Sequence, residues 1–164
     1  MNILIVNDEI LTAETMKADM SWESLGIDQV YTAYDAASAK VLIQEKDIQM
    51  ILLDIEMPGE SGMSLLGWIR ENQYDIECIF LTCHANFEYA REAIGLGCQD
   101  YIVMPADNQV IGDGVSRVVE RICQKQDHRR YERIGKEFIM EKEKALDEKN
   151  TEKHKGEDVI SQIC

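Results

Sequence analysis

Ile48-Gln49-Met50-Ile51-Leu52-Leu53-Asp54, followed by Ile55-Glu56-Met57-Pro58-Gly59-Glu60-Ser61-Gly62, is the stretch on which the fold turns. Its first six residues are nearly all apolar, as expected of a short strand buried on both faces. The run stops on a carboxylate, Asp54. Pro58 and Gly59 then break the chain before a helical period over residues 61–71. A strand covered on both faces belongs inside a parallel sheet, where crossover helices pack on either side.

The same alternation continues in both directions. Toward the N-terminus, Ile3-Leu4-Ile5-Val6 is a second apolar run, followed by a helical stretch over 10–20 with Ile10, Ala13 and Met20 broadly on one side. Residues 29–33 are expected to form a strand and 36–44 a helix that Asp35 can cap. Toward the C-terminus, Cys78-Ile79-Phe80-Leu81 ends on Thr82, a helix covers 87–96, and Tyr101-Ile102-Val103 is the last strand. Five strand–helix units in a row predict an α/β fold. Right-handed crossovers narrow it to a flavodoxin-like, doubly wound, five-stranded parallel sheet of order 2-1-3-4-5.

From about Gln109 the fifth helix carries Val110, Ile111, Val115, Val118, Val119 and Ile122 on an apolar stripe, which then thins. Beyond it the chain is mostly Lys, Arg, Glu, Gln and Asp, with Tyr131, Ile134, Phe138, Ile139 and Leu146 at loose helical spacing and no Pro. The expected organisation is a domain over 1–122 and a charged helical extension over 123–164, able to pair with a second copy although no sustained heptad is present. No second globular domain is recognisable in the extension. Val159, Ile160 and Ile163 could begin a further helix, as in the front part of a longer chain.

The net charge of −14 is uneven: residues 1–128 hold 8 Lys and Arg against 22 Asp and Glu, and residues 129–164 hold 9 of each. Such an acidic domain has no basic footprint for nucleic acid. Met1 runs directly into the first strand, with no basic n-region and no membrane-length apolar run, so a cytoplasmic protein without a membrane partner is expected. Five cysteines without a CxxC pair fit reduced thiols there.

Chemistry in such a sheet gathers at the carboxyl ends of the strands. These carry Asn7, Asp8 and Glu9 after the first, Asp54 after the third, Thr82 after the fourth, and Met104-Pro105 after the fifth. Carboxylates at neighbouring strand ends repel one another unless a divalent cation sits between them, and Asp8 with Asp54 makes a sparse oxygen site suited to Mg²⁺. The cation would also neutralise charge as a phosphoryl group moves onto an Asp oxygen. A phosphatase would want Asp-x-Asp on the first strand, a flavin carrier a Thr/Ser/Gly-rich loop there, and a dinucleotide enzyme GxGxxG after a strand. None is present, so no enzyme activity toward outside substrates is expected.

Ile5-Val6-Asn7-Asp8-Glu9, Leu53-Asp54 through Gly62, Leu81-Thr82 and Asp100 through Pro105 resemble, in order and spacing, the four blocks of response-regulator receiver domains of two-component signalling. Trp22 with Leu25-Gly26-Ile27, and the run Asn86 to Ile94, are further similar to receivers attached to AraC-type DNA-binding regions. The resemblance implies that a sensor histidine kinase phosphorylates Asp54. It implies Mg²⁺ on Asp8, Asp54 and the Glu56 carbonyl, with Asn7 contributing weakly or through a water. Thr82 and Tyr101 would be the switch pair, and the altered surface would homodimerise and serve transcriptional control, DNA being reached only through an output domain that this chain lacks. Two positions depart from the pattern. The first acid is Asn7, and the Lys before the proline, which pairs with the acceptor, is Met104. These favour the alternative of a pseudo-receiver, a protein-interaction module that is not phosphorylated. The family's cis bond before the proline is compatible with Met104.

Overall fold

The computed structural model describes residues 1–163, with side chains through Lys153; Cys164, one of the five cysteines, lies outside the described residues. The elements run β1 (Asn2–Val6), α1 (Ile10–Asp19), a 3₁₀ turn (Glu23–Leu25), β2 (Gln29–Ala33), α2 (Ala36–Glu45), β3 (Met50–Asp54), α3 (Gly62–Glu71), β4 (Glu77–Thr82), α4 (Phe87–Gly95), β5 (Asp100–Val103) and α5 (Asn108–Ile163). All neighbouring strands are parallel, in the order β2-β1-β3-β4-β5. This is the flavodoxin-like arrangement expected from the alternating pattern, and the long C-terminal helix is present as well.

Alternation along each strand makes two cores. Leu4 and Val6 of β1, Ile51 and Leu53 of β3, and Cys78 and Phe80 of β4 face α2, α3 and Ala93 of α4. Their neighbours Ile3, Ile5, Met50, Leu52, Ile79 and Leu81 face Ala13 and Met16 of α1 and Ile111, Val115, Val118 and Ile122 of α5. Every apolar residue of β3 is fully buried, which is why that segment lacks a polar–apolar alternation. Two sequence expectations are corrected by exposure. Ile10 is 57% exposed and Val110 47%, so the buried stripes rest on Ala13 and Met16 of α1, with Met20 just past its end, and on the positions from Ile111 onward in α5. The backbone of 159–163 continues α5 and does not begin a separate helix.

The helix starts follow local chemistry. The Asp35 carboxylate accepts from the Ser38 N–H at 2.7 Å, and the Ser61 hydroxyl accepts from the Ser64 N–H at 3.1 Å; each satisfies a donor that the first helical turn leaves open. Asn86 does the same for Glu88 and Tyr89 at the start of α4. The chain divides into two compact units, Met1–Ile122 and Cys123–Cys164.

Candidate functional site

β1, β3 and β4 lie side by side, so the residues after them are delivered to one edge of the sheet. Asp54 is the last residue of β3 and is half-buried, whereas Asp8, two residues past β1, is exposed. Burial pushes the Asp54 carboxyl up from 3.8 to about 6; the Asp8 charge and a side-chain hydrogen bond with Asp8 push the same way. The backbone N–H groups of Glu56 and Ile55 donate to Asp54 and partly oppose the rise. No cation is among the groups that set this value. Two carboxylates in hydrogen-bond contact share a proton, or hold a cation in its place. Among the described residues no cluster of three or more His, Cys, Asp or Glu side chains is spaced to hold a metal, so a cation here would rely on this pair, a backbone carbonyl and water.

The loop after β3 is shaped by a glycine. The Gly62 N–H donates to the Ile55 carbonyl at 2.8 Å, and a Cβ at Gly62 would stand 2.0 Å from the Asp54 carbonyl oxygen. The first turn of α3 therefore closes directly on the backbone of the acidic residue. Glu60 is held by Lys40 of α2 at 2.8 Å and by the Ser64 hydroxyl at 3.0 Å, which ties the far end of the same loop down. An open groove of about 990 Å³ begins at Asp8 and Glu56 and continues past Ser61 and Trp68 to Tyr89 on α4.

Thr82 ends β4 and is 1% exposed. Its hydroxyl accepts from the His84 N–H at 3.2 Å, and its carbonyl accepts from the Met104 N–H at 2.7 Å. The Tyr101 ring, half-buried on β5, sends its hydroxyl to the His84 carbonyl at 3.1 Å. The His84 imidazole meets the Glu56 carboxylate at 3.0 Å. One residue thus connects the Thr82 hydroxyl, the Tyr101 ring and the loop after Asp54. No motif of the sequence singles out His84; its side chain is exposed, but its backbone and ring bridge three segments that no local signal links.

Asn7 is half-buried, and its amide oxygen accepts from the Glu9 N–H at 2.9 Å. That bond ties the atom able to reach a cation into a turn and leaves its second lone pair open. Met104 is half-buried against the α1–α5 core and lines a small apolar pocket with Leu11, Thr12, Thr15 and Met16. The Met104–Pro105 bond is cis.

Comparison with known proteins follows the same lines. A family model described as the response regulator receiver domain matches residues 3–115. The transcriptional regulatory protein HptR of Staphylococcus aureus is 29% identical over 124 residues, covering 76% of this chain and 48% of its own length. The chain spans about half or less of the length of the curated relatives it matches. Among solved structures, the receiver domain of AraT, a response regulator from Geobacillus stearothermophilus, superposes with a TM-score of 0.69 at 28% identity, covering 76% of this chain and 97% of that one. The response regulator protein TrrA of Thermotoga maritima, solved in complex with Mg²⁺ and BeF, superposes with a TM-score of 0.61 at 26% identity over 71% of this chain and 96% of that one.

Proposed function

The chain belongs to the response regulator receiver domain family, and from that premise we propose that Asp54 accepts a phosphoryl group from a sensor histidine kinase in the cytoplasm. One observation carries the proposal: at the end of β3, Asp54 is a half-buried carboxylate held in hydrogen-bond contact with Asp8. Mg²⁺ on Asp8, Asp54 and the Glu56 carbonyl, with Asn7 acting weakly through water, would relieve that repulsion and shield the incoming phosphoryl oxygens. The bond formed joins the Asp54 carboxylate oxygen to phosphorus, and the bond broken joins phosphorus to the donor's leaving group. Thr82, whose hydroxyl lies at the adjacent strand end, would turn to donate to the phosphoryl group. That movement would release the His84 N–H and disturb the Tyr101 hydroxyl bond, so the Thr82–His84–Tyr101 chain supplies a route from site to surface. The output proposed is homodimerisation in transcriptional control, with DNA contacted by a separate output domain.

A second reading is supported by specific contacts. Met104 packs against the α1–α5 core and brings no charge to Asp54, and Asn7 offers a neutral amide tied into a turn by the Glu9 N–H where a second carboxylate would attract a cation more strongly. Both suit a pseudo-receiver that works by protein contact alone. Intact mass after incubation with acetyl phosphate, with and without Mg²⁺, separates the two. The proposal expects a phosphoryl-sized gain that needs both Mg²⁺ and Asp54 and is absent in Asp54→Asn. No gain in the wild type, with a gain in the Asn7→Asp/Met104→Lys variant, would establish the pseudo-receiver.

A further inference from the structure

Within the second unit, every side chain from Gln126 to Lys153 is exposed, including Tyr131 at 73%, Phe138 at 59%, Ile139 at 55% and Leu146 at 61%. The backbone over this span is helical. Tyr131, Ile134, Phe138, Ile139, Ala145 and Leu146 recur at i, i+3, i+7, i+8, i+14 and i+15, which places them on one face of about four turns. A solvated helix derives little stability from its own hydrogen bonds and needs its apolar face covered. The question is what covers it.

Charge answers in favour of a second copy of the same helix, and fixes its direction. Residues 124–136 carry five Lys and Arg against two Asp and Glu, and residues 137–152 carry six Asp and Glu against three Lys. The change of sign falls at the middle of the apolar face. In a parallel pair in register, the basic half of one helix would lie beside the basic half of the other. In an antiparallel pair the halves exchange. We propose that the extension forms an antiparallel two-helix pair with a second copy of this chain, its two-fold axis passing between Phe138 and Ile139.

That register follows from the residues. It sets Phe138 against the other helix's Ile139, Tyr131 against Leu146, Arg130 against Asp147 and Lys136 against Glu141. It also sets Gly135, which has no side chain and open space about it, opposite Lys142, whose ammonium already lies over the Phe138 ring, 5.4 Å from its centroid. A long apolar stem thus faces the one position that can admit it. Arg133 opposite Lys144 is the like-charged exception. The face covers only about four turns, so the pair is reversible, and concentration governs it.

The pairing does not require phosphorylation of Asp54, so it is tested on the untreated full-length chain. Cys83, Cys98 and Cys164 are replaced by Ser, the buried Cys78 is left, and distances between copies are read by paired spin labels. One label sits on Met140→Cys, beside the axis, in a chain whose Cys123 is also Ser; in a second chain the label sits on Cys123 itself. The antiparallel pair predicts about 25–30 Å between the Met140→Cys labels, which point outward from the pair, and, from the helical rise, about 45 Å between the Cys123 labels. Arg130→Glu should weaken the dimer at least tenfold, and Arg130→Glu with Asp147→Arg should restore it. Short distances at both positions would show a parallel pair, and no short distance at Met140→Cys would show an unpaired extension; either overturns the proposal.

Discussion

The Asp54 carboxyl lies above its ordinary value for three reasons: burial, the Asp8 charge and the hydrogen bond with Asp8. A carboxyl whose folded value lies above its unfolded one favours folding while protonated. That contribution is complete below about pH 4 and is lost as pH rises toward and through 6. Asp54→Asn removes the penalty. The variant should match the wild type near pH 4 and exceed it at pH 7.5 by about 1–2 kcal/mol, after allowing for the site's partial solvation. Urea melts at the two pH values read this directly, and an equal difference at both would contradict it. Met104→Lys should bring a positive charge to the pair, lower the Asp54 carboxyl below about 6 in a carbon-13 titration, and raise the rate of modification by acetyl phosphate. An unmoved titration would mean that the Lys, like the Met, packs toward the α1–α5 core.

The loop after β3 is the element on which the site depends, and Gly62 is its closest approach. A Cβ there meets backbone, not a movable side chain, so Gly62→Ala should cost about 2–3 kcal/mol and also impair modification of Asp54. Thermal melting with the mass assay checks both, and a variant of wild-type stability would refute the contact. At this scale much was legible in advance. The all-apolar runs of β1, β3 and β4 betray strands covered on both faces, and Asp35 marks a helix start by its chemistry. What escaped was tertiary. The exposure of Ile10 depends on where α1 turns onto the sheet, the 3₁₀ turn at Glu23–Leu25 has no periodic signature, and the Lys40–Glu60 tie joins residues 20 apart in sequence. The role of His84 is carried largely by its backbone N–H and carbonyl, which every residue type possesses, so residue identity could not disclose it.

For the molecule as a whole, among the described residues no helix is long and apolar enough to cross a membrane. The acidic excess lies within Met1–Ile122, where 7 Lys and Arg stand against 21 Asp and Glu, and that unit holds both apolar cores. A chain ending at Ile122 should therefore unfold cooperatively with a midpoint within a few degrees of the full chain's, by calorimetry at low concentration; loss of the transition would show that the extension is needed to fold. The proposal that Asp54 is a phosphoacceptor is tested most directly by chemical trapping. The chain is treated with acetyl phosphate and Mg²⁺, reduced with borohydride, and digested, and the peptide containing residue 54 is sequenced by mass spectrometry. Reduction converts an acyl phosphate to an alcohol, so homoserine at position 54, dependent on Mg²⁺, is the predicted result. Unchanged Asp54 in a folded chain, or homoserine at Asp8 instead, would contradict it.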